Sequence, residues 1–294
     1  MTTTIDSLSA ATAPLAPLTP VRRRSAAKSR GLLSHLVLVP LALVCLFPLY
    51  WMLVTALRPE GDVFSTALWP QAPTLENFAY VLKAVPLGSM LLTTTYMAGI
   101  TTVLQVITGL MAAYVFARSQ ARAGKWMLAL LTVTWLIPPQ VIMIPNFVLV
   151  NRMGLLDTLA GLVLPHAASA FAIMLLYQAI RSFPKEVIES AEMDGCGHVR
   201  ILFAIIVPNL RPVIASISIL LFISSWNEYL WPLLVTRSPE QTVVQIGLQM
   251  FMTEQGNQWA PLMAAATLAS LPILVIYLAL QRQIIDTFVR SGLR

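Results

Sequence analysis

The sequence predicts an all-α polytopic membrane protein with six transmembrane helices and a pair of short cytoplasmic helices between spans 4 and 5. Of its 294 residues 57% are hydrophobic and only 11% charged, and the mean hydropathy is +0.75. A soluble domain cannot hide that much apolar surface. Five stretches, 31–57, 87–117, 126–150, 158–180 and 255–281, contain no Asp, Glu, Lys or Arg, and each exceeds the roughly 20 residues needed to cross an apolar slab of about 30 Å. A sixth, 212–227, has 16 such residues, or 18 with its charged edges Arg211 and Glu228, about 27 Å of helix. It is counted as span 5.

Residues 1–30 are rich in Thr, Ser, Ala and Pro and include the run Val21-Arg-Arg-Arg-Ser. They read as a disordered basic cytoplasmic tail preceding a transmembrane domain over 31–294. The apolar run that follows has 27 residues, well beyond the roughly 7–15 of a signal-peptide core. After span 1, residues 59–86 form an outer segment containing Trp69-Pro-Gln-Ala-Pro. Pro138-Pro139 and Pro145 are expected to break or kink span 3.

Orientation follows from the basic residues, because Lys and Arg in short loops stay on the cytoplasmic side. With both termini cytoplasmic, 15 of the 19 basic residues lie inside, leaving Arg58, Lys83, Arg152 and Arg237 outside. The net charge of +6 has the same origin. These cations are spread over loops between spans, so the basic balance does not form a nucleic-acid face.

No catalytic constellation emerges. The histidines are His35, His166 and His198, and only His198 stands near an acidic residue, Asp194, where it reads as a solvated loop histidine. Cys45 in span 1 and Cys196 in a cytoplasmic loop sit too far apart to bridge. No Gly-x-x-x-x-Gly-Lys-Ser/Thr phosphate cradle occurs, so the chain lacks that route to ATP. No metal site and no cofactor is expected on it.

The connection over 183–208 carries the strongest signal. Pro184 suits a first helical turn, and Gly195 suits the positive φ just past a helix end. Val187, Ile188, Ala191 and Met193 form one apolar surface, with Glu186, Glu189 and Glu192 facing water. After the turn, Val199, Leu202, Phe203 and Ile206 repeat at helical spacing until Pro208 interrupts the ladder. The pattern Glu189-Ser190-Ala191-x-x-Asp194-Gly195, then nine residues, then Ile205-x-Val207-Pro208, resembles the coupling motif of ABC importer permeases. Ser190 and Val207 depart from its usual Ala and Leu while keeping small or aliphatic character. The resemblance implies a coupling helix seated in a separate nucleotide-binding ATPase, which carries ATP and magnesium. It assigns docking roles to Glu189, Ser190, Ala191, Asp194, Gly195, Ile205 and Pro208.

The sequences Phe47-Pro-Leu-Tyr-Trp-Met-Leu-Val-Thr-Ala-Leu-Arg-Pro-Glu, Pro73-Thr-Leu-Glu-Asn-Phe and Trp226-Asn-Glu-Tyr-Leu-Trp-Pro are similar to the second permease of carbohydrate importers, the maltose and glycerol-3-phosphate importer branch. That resemblance implies a heterodimer with a second permease, two ATPase subunits and an extracytoplasmic solute-binding protein. It leaves the cargo open between a sugar and a phosphorylated polyol or glycerophosphodiester.

Within the spans Glu228 is the one acidic candidate for the pathway, since an ionisable group in hydrocarbon faces a cavity or protein. Asn227 is a partner for solute hydroxyls, and Trp226, Tyr229 and Trp231 are candidates for stacking on a sugar ring. The competing reading makes these aromatics an interfacial belt, with Glu228 reaching headgroup water. Asn146, His166, Gln178, Gln105 and Thr93-Thr-Thr read more simply as satisfying hydrogen bonds between helices or to the backbone. An ion-gradient-driven transporter is the alternative of another class. It calls for ionisable residues at span centres, which this sequence scarcely has.

Overall fold

Proline and unpaired backbone decide where the long apolar stretches of this chain bend. The computed structural model describes residues 25–119, 122–253 and 256–291. Three helices are long and apolar enough to cross a membrane, and three further pairs pass the same test as bent units, for up to six segments among the described residues.

The chain divides into a unit ending at Tyr50 and one beginning at Trp51. The first consists of helix α1 (Ser25–Ala56) as far as Tyr50, with Pro40 and Pro48 inside it. Its apolar side chains from Leu36 to Leu46 are exposed. Its described part starts at Ser25, which overlaps the last residues of the stretch expected as a tail. Ala26, Ala27, Lys28 and Arg30 are strong helix formers, and residues 1–24 of the expected tail lie outside the described residues.

In the second unit the outer segment is folded back onto the end of α1. The Arg58 side chain is fully buried. Its guanidinium donates to the carbonyls of Asp62, Ser65 and Ala67, and lies 5.1 Å from the Trp51 ring centroid. Expected as a loop cation, Arg58 is instead the post around which that loop winds. Asn77, in α2 (Glu76–Ala84), donates from its amide to the carbonyls of Ala56 and Arg58 at 2.8 and 2.7 Å. Those carbonyls stand at the end of a helix, where intrahelical partners run out.

Helix α3 (Leu87–Arg118) has 32 residues, about 48 Å of helix. Leu92, Tyr96, Ile100, Val103, Ile107, Met111 and Val115 form an exposed apolar stripe along it. The opposite face, carrying Thr94, Ala98, Thr101, Thr102, Gly109 and Ala113, is buried. Thr94 donates to the Met90 carbonyl and accepts from the Val244 N–H, so part of the threonine run does satisfy backbone.

Span 3 comprises α4 (Arg122–Trp135) and α5 (Pro139–Arg152), which meet at 94°. The bend falls where Pro138 is extended and Pro139 opens the next helix. Pro145, expected to interrupt as well, lies within α5 without ending it. Span 4 runs from α6 (Leu159–Val163) through a 3-10 turn at Leu164–His166 into α7 (Ala170–Arg181), bent by 50°. Next come α8 (Lys185–Met193), α9 (His198–Arg200), a π-helical turn (Ile201–Ile206) and α10 (Val207–Asn209). The helix therefore does not stop at Pro208. The wider π turn ahead of it relieves the clash of the proline ring with the preceding turn, and the break comes at Leu210 with an 85° bend.

Helix α11 (Arg211–Trp226) is followed by α12 (Leu230–Val235) and α13 (Val244–Gln249). A two-residue ribbon, β1 (Met252–Thr253) antiparallel to β2 (Gly256–Asn257), precedes α14 (Trp259–Ser291). That ribbon shifts the start of span 6 from 255 to 259. Helix α3 packs against α7, α11, α13, α6 and α4 and is the axis of the unit.

Asp157, at φ +58, joins the loop after α5 to the loop after α12. Its carboxylate accepts the N–H groups of Arg237 and Ser238 and the Ser238 hydroxyl, and its own N–H donates to the Val235 carbonyl at 2.9 Å. The Ser238 hydroxyl and the two backbone donors hold Asp157 below the usual carboxylate range. A lowered folded-state pKa stabilises the fold above the unfolded value of about 3.9, and that contribution is lost as pH falls through the lower folded value. The thermal stability gap between the protein and Asp157→Asn is therefore full near neutrality and closes under strong acid, as read by detergent melts across pH. Asn77→Ala, by orphaning two buried carbonyls, lowers unfolding stability by about 2–4 kcal/mol, measured as a fall in melting temperature.

Candidate functional site

Two features stand out, one at mid-depth and one at the end of the bundle where α3 finishes. The first is a small cavity among α3, α6, α11 and α12. Met97, Thr101 and Gln105 line it from α3, and Leu162 and His166 from span 4. Leu221, Ser224, Ser225, Glu228 and Trp231 close it from the α11–α12 side. Thr101 and Gln105 stand 14 and 18 residues after Leu87, about 21 and 27 Å along a helix of about 48 Å. The cavity thus lies near the middle of the membrane-crossing length.

Helices break beside this cavity. Span 4 interrupts at 167–169, where Gln105 Nε2 donates to the His166 carbonyl at 2.9 Å and Thr108 to the Ala167 carbonyl at 3.1 Å. Ser169 caps the restart by accepting the Ala172 N–H. Helix α11 ends at Trp226, and Glu228 Oε1 accepts the Trp231 N–H at 3.3 Å, capping the first turn of α12. Non-helical backbone is tolerated at membrane depth where it is buried in protein or lines a polar space.

The structure separates the residues 226–229. Glu228 lines the cavity. Trp226 is 1% exposed and packs on Phe222 in the core between α2, α11 and α14, so its ring reaches no solute. Asn227 is exposed, donates to the Ile223 carbonyl and accepts from Gln245 Nε2 at 3.2 Å, outside the cavity lining. Tyr229, half-buried, precedes α12 and also lies outside that lining. Trp231 does line it, with its ring nitrogen donating to the Gly161 carbonyl at 3.1 Å and its ring 5.7 Å from that of His166. With Trp226 and Trp231 buried and Glu228 level with the middle of α3, the interfacial-belt reading does not describe these residues. Sequence reasoning passed over Thr101, Ser224 and Ser225, because a hydroxyl on an apolar helix gives no sign of which way it faces.

The second feature is the elbow over 183–208. Ile188, Ala191, Ile201, Leu202 and Ile206 are buried in one cluster with Leu110, Ala113 and Tyr114 of α3 and Leu176 and Ile180 of α7. Val187, Met193, Val199 and Phe203, expected on the same apolar surface, are exposed, Met193 at 89%. A short helix wedged against a bundle has room to bury one narrow stripe only. The turn between α8 and α9 closes with two bonds, Cys196 N–H to the Ala191 carbonyl and Gly195 N–H to the Glu192 carbonyl, each 3.0 Å. This is the Schellman arrangement, and Gly195 supplies its φ of +76°.

Ala191 is therefore a residue of this chain's own core, where expectation placed it facing a partner. Ile205 packs against the same cluster, and Pro208 is half-buried. The Ser190 hydroxyl is turned to the Val187 carbonyl at 3.0 Å. The Glu189 and Asp194 carboxylates are exposed and make no hydrogen bond or ion pair among the described residues. Asp194 thus does not brace the turn; the backbone does. Glu192 pairs with Arg118 at the end of α3, and the Tyr114 hydroxyl lies 3.2 Å from His198 Nδ1. His198, expected as a loop histidine with no fixed partner, is part of the joint between elbow and bundle.

Comparison with known proteins identifies the family. Residues 105–289 match the family described as binding-protein-dependent transport system inner membrane component. The melibiose/raffinose/stachyose import permease protein MelC of Bacillus subtilis (strain 168) is 31% identical over 90% of this chain and 96% of its own length. The sn-glycerol-3-phosphate transport system permease protein UgpE of Yersinia pestis is also 31% identical, over 89% of this chain and 98% of its own. The arabinooligosaccharides transport system permease protein AraQ of Bacillus subtilis (strain 168) is 28% identical over 86% and 92%. Among solved structures, a chain of a bacterial ABC transporter involved in the import of the acidic polysaccharide alginate matches with a TM-score of 0.73 over 90% of this chain and 100% of that one. At 22% identity that match speaks for the fold. On the extent of the family match and of the relatives at 31%, the chain belongs to the binding-protein-dependent transport system inner membrane components.

Proposed function

We propose that this chain is one of two permeases in an ATP-driven importer of a carbohydrate or carbohydrate-like solute, delivered by an extracytoplasmic binding protein. ATP and magnesium belong to a separate nucleotide-binding subunit gripped by the elbow at 183–208. The observation that carries the reading is the elbow's division of faces. One stripe is locked into the α3–α7 cluster, and the carboxylates of Glu189 and Asp194 are exposed outside it. Such a piece moves as a rigid body with the bundle and offers its charged side to a partner.

Motion at the elbow reaches the cavity along two stiff paths. Helix α3 joins Arg118, paired to Glu192, with Gln105 in the cavity wall. Helix α11 begins beside the elbow at Arg211 and ends beside Glu228. In this scheme the elbow and both chain termini face the cytoplasm, and Arg58, Asp157 and the loop before α2 face outward, as the distribution of basic residues requires. The relative at 31% identity named for glycerol-3-phosphate supports a second cargo reading, a phosphorylated polyol or glycerophosphodiester moved by the same mechanism.

Purified from membranes, the chain is expected to bring down a nucleotide-binding subunit, and reconstituted uptake requires ATP. Asp194→Lys and Gly195→Pro each lower ATP-driven uptake by about tenfold or more, the effect of losing one interface anchor. Uptake driven by an ion gradient without ATP, or unchanged uptake in both variants, overturns the proposal. For orientation, a cysteine at the exposed Met193 is labelled by an impermeant thiol reagent in inside-out vesicles only, and one at the exposed Phe64 in right-side-out vesicles only.

A further inference from the structure

We infer that the mid-depth cavity is a binding site for uncharged polyhydroxylated solutes that turns anionic ones away, with Glu228 as the specificity-determining side chain; the inference rests on the import reading above and decides between its two cargo classes. Sequence similarity cannot make that choice, because a relative named for neutral oligosaccharides and one named for a phosphorylated polyol are equally similar at 31% identity. The chemistry of the wall does.

Thr101, Gln105, Ser224 and Ser225 give the wall hydroxyl and amide groups that both donate and accept. Thr101 is 3% exposed, and its hydroxyl has no hydrogen-bond partner. A buried hydroxyl left unpaired is costly, so this part of the wall holds more polarity than its own packing satisfies. Gln105 uses one amide N–H on the His166 carbonyl, which leaves its second N–H and its oxygen acceptor. Glu228 spends Oε1 on the Trp231 N–H and keeps Oε2. The set is therefore rich in acceptors, which suits the many O–H donors of a sugar or polyol.

No Lys or Arg lines this cavity among the described residues. A phosphate or carboxylate solute meets a carboxylate of the same sign, in surroundings where water screens poorly and where His166 is the one lining group able to take a positive charge. Charge-assisted hydrogen bonds from neutral hydroxyls to Glu228 run the other way and are among the stronger ones available.

The test reads the cavity's charge directly, independently of what the solute-binding protein will deliver. In the assembled complex in proteoliposomes, with Cys45→Ser and Cys196→Ala, a single thiol is placed by Ser224→Cys. Its labelling rates by a cationic and an anionic methanethiosulfonate of similar size are compared with those of a free thiol in solution. The cationic reagent is expected to be favoured by about tenfold beyond its free-thiol preference. That excess disappears in Glu228→Gln, which keeps an acceptor for the Trp231 N–H, and persists in Glu228→Asp, which keeps the charge. A free-thiol ratio, a ratio insensitive to Glu228→Gln, or a thiol unreactive to both reagents overturns the inference. ATP-driven uptake in the same vesicles is scored separately, so that loss of uptake with the charge preference intact counts against the import reading alone.

Discussion

Close approach of α3 and α7 is the contact on which both working regions depend. At Gly109 an added Cβ would stand 2.8 Å from Leu176 Cδ1 and 3.7 Å from Ala172 Cβ, so the two backbones meet where a side chain is missing. In a medium as apolar as the side chains themselves, helices associate through such tight packing and not through escape from water. One side of this point holds the cavity, with Thr101 and Gln105 on α3. The other holds the elbow, with Leu110, Ala113 and Tyr114 on α3 and Leu176 and Ile180 on α7. From Gln105 to Arg118 is 13 residues of unbroken helix, about 20 Å.

The breaks in the other helices are placed around that axis. Spans 4 and 5 interrupt beside the cavity, and the backbone groups released there find partners in Gln105, Thr108, Ser169 and Glu228. Glu228 thus has a cap to make as well as a cavity to line, and its two oxygens divide those tasks. Arg58 shows the same economy in the loop before α2, where one buried cation organises three carbonyls and an aromatic ring.

The membrane class and the six segments could be read from the sequence because they rest on length and on the absence of charge, which are local quantities. Pro138-Pro139 announced a break, and Gly195 announced its turn, since each fixes a backbone conformation that neighbours cannot override. Pro145 and Pro208 were misleading, because a helix absorbs a proline when the preceding turn widens or packing holds it. The elbow's buried stripe was half legible. Ile188, Leu202 and Ile206 lie within it, while Val187, Val199, Met193 and Phe203 point away.

The sequence by itself determined that this chain enters a bilayer, how many segments it has and where one polar elbow interrupts them. Hydropathy and charge set these without reference to any distant residue. Only the tertiary structure decided which side chains share a space: that Glu228 stands with Thr101, Gln105 and His166 while Trp226 sinks into the core, and that Ala191 packs inward. In a helix apolar on every face, periodicity cannot distinguish the side toward lipid from the side toward protein. The choice is made by close contact between segments 61 to 150 residues apart.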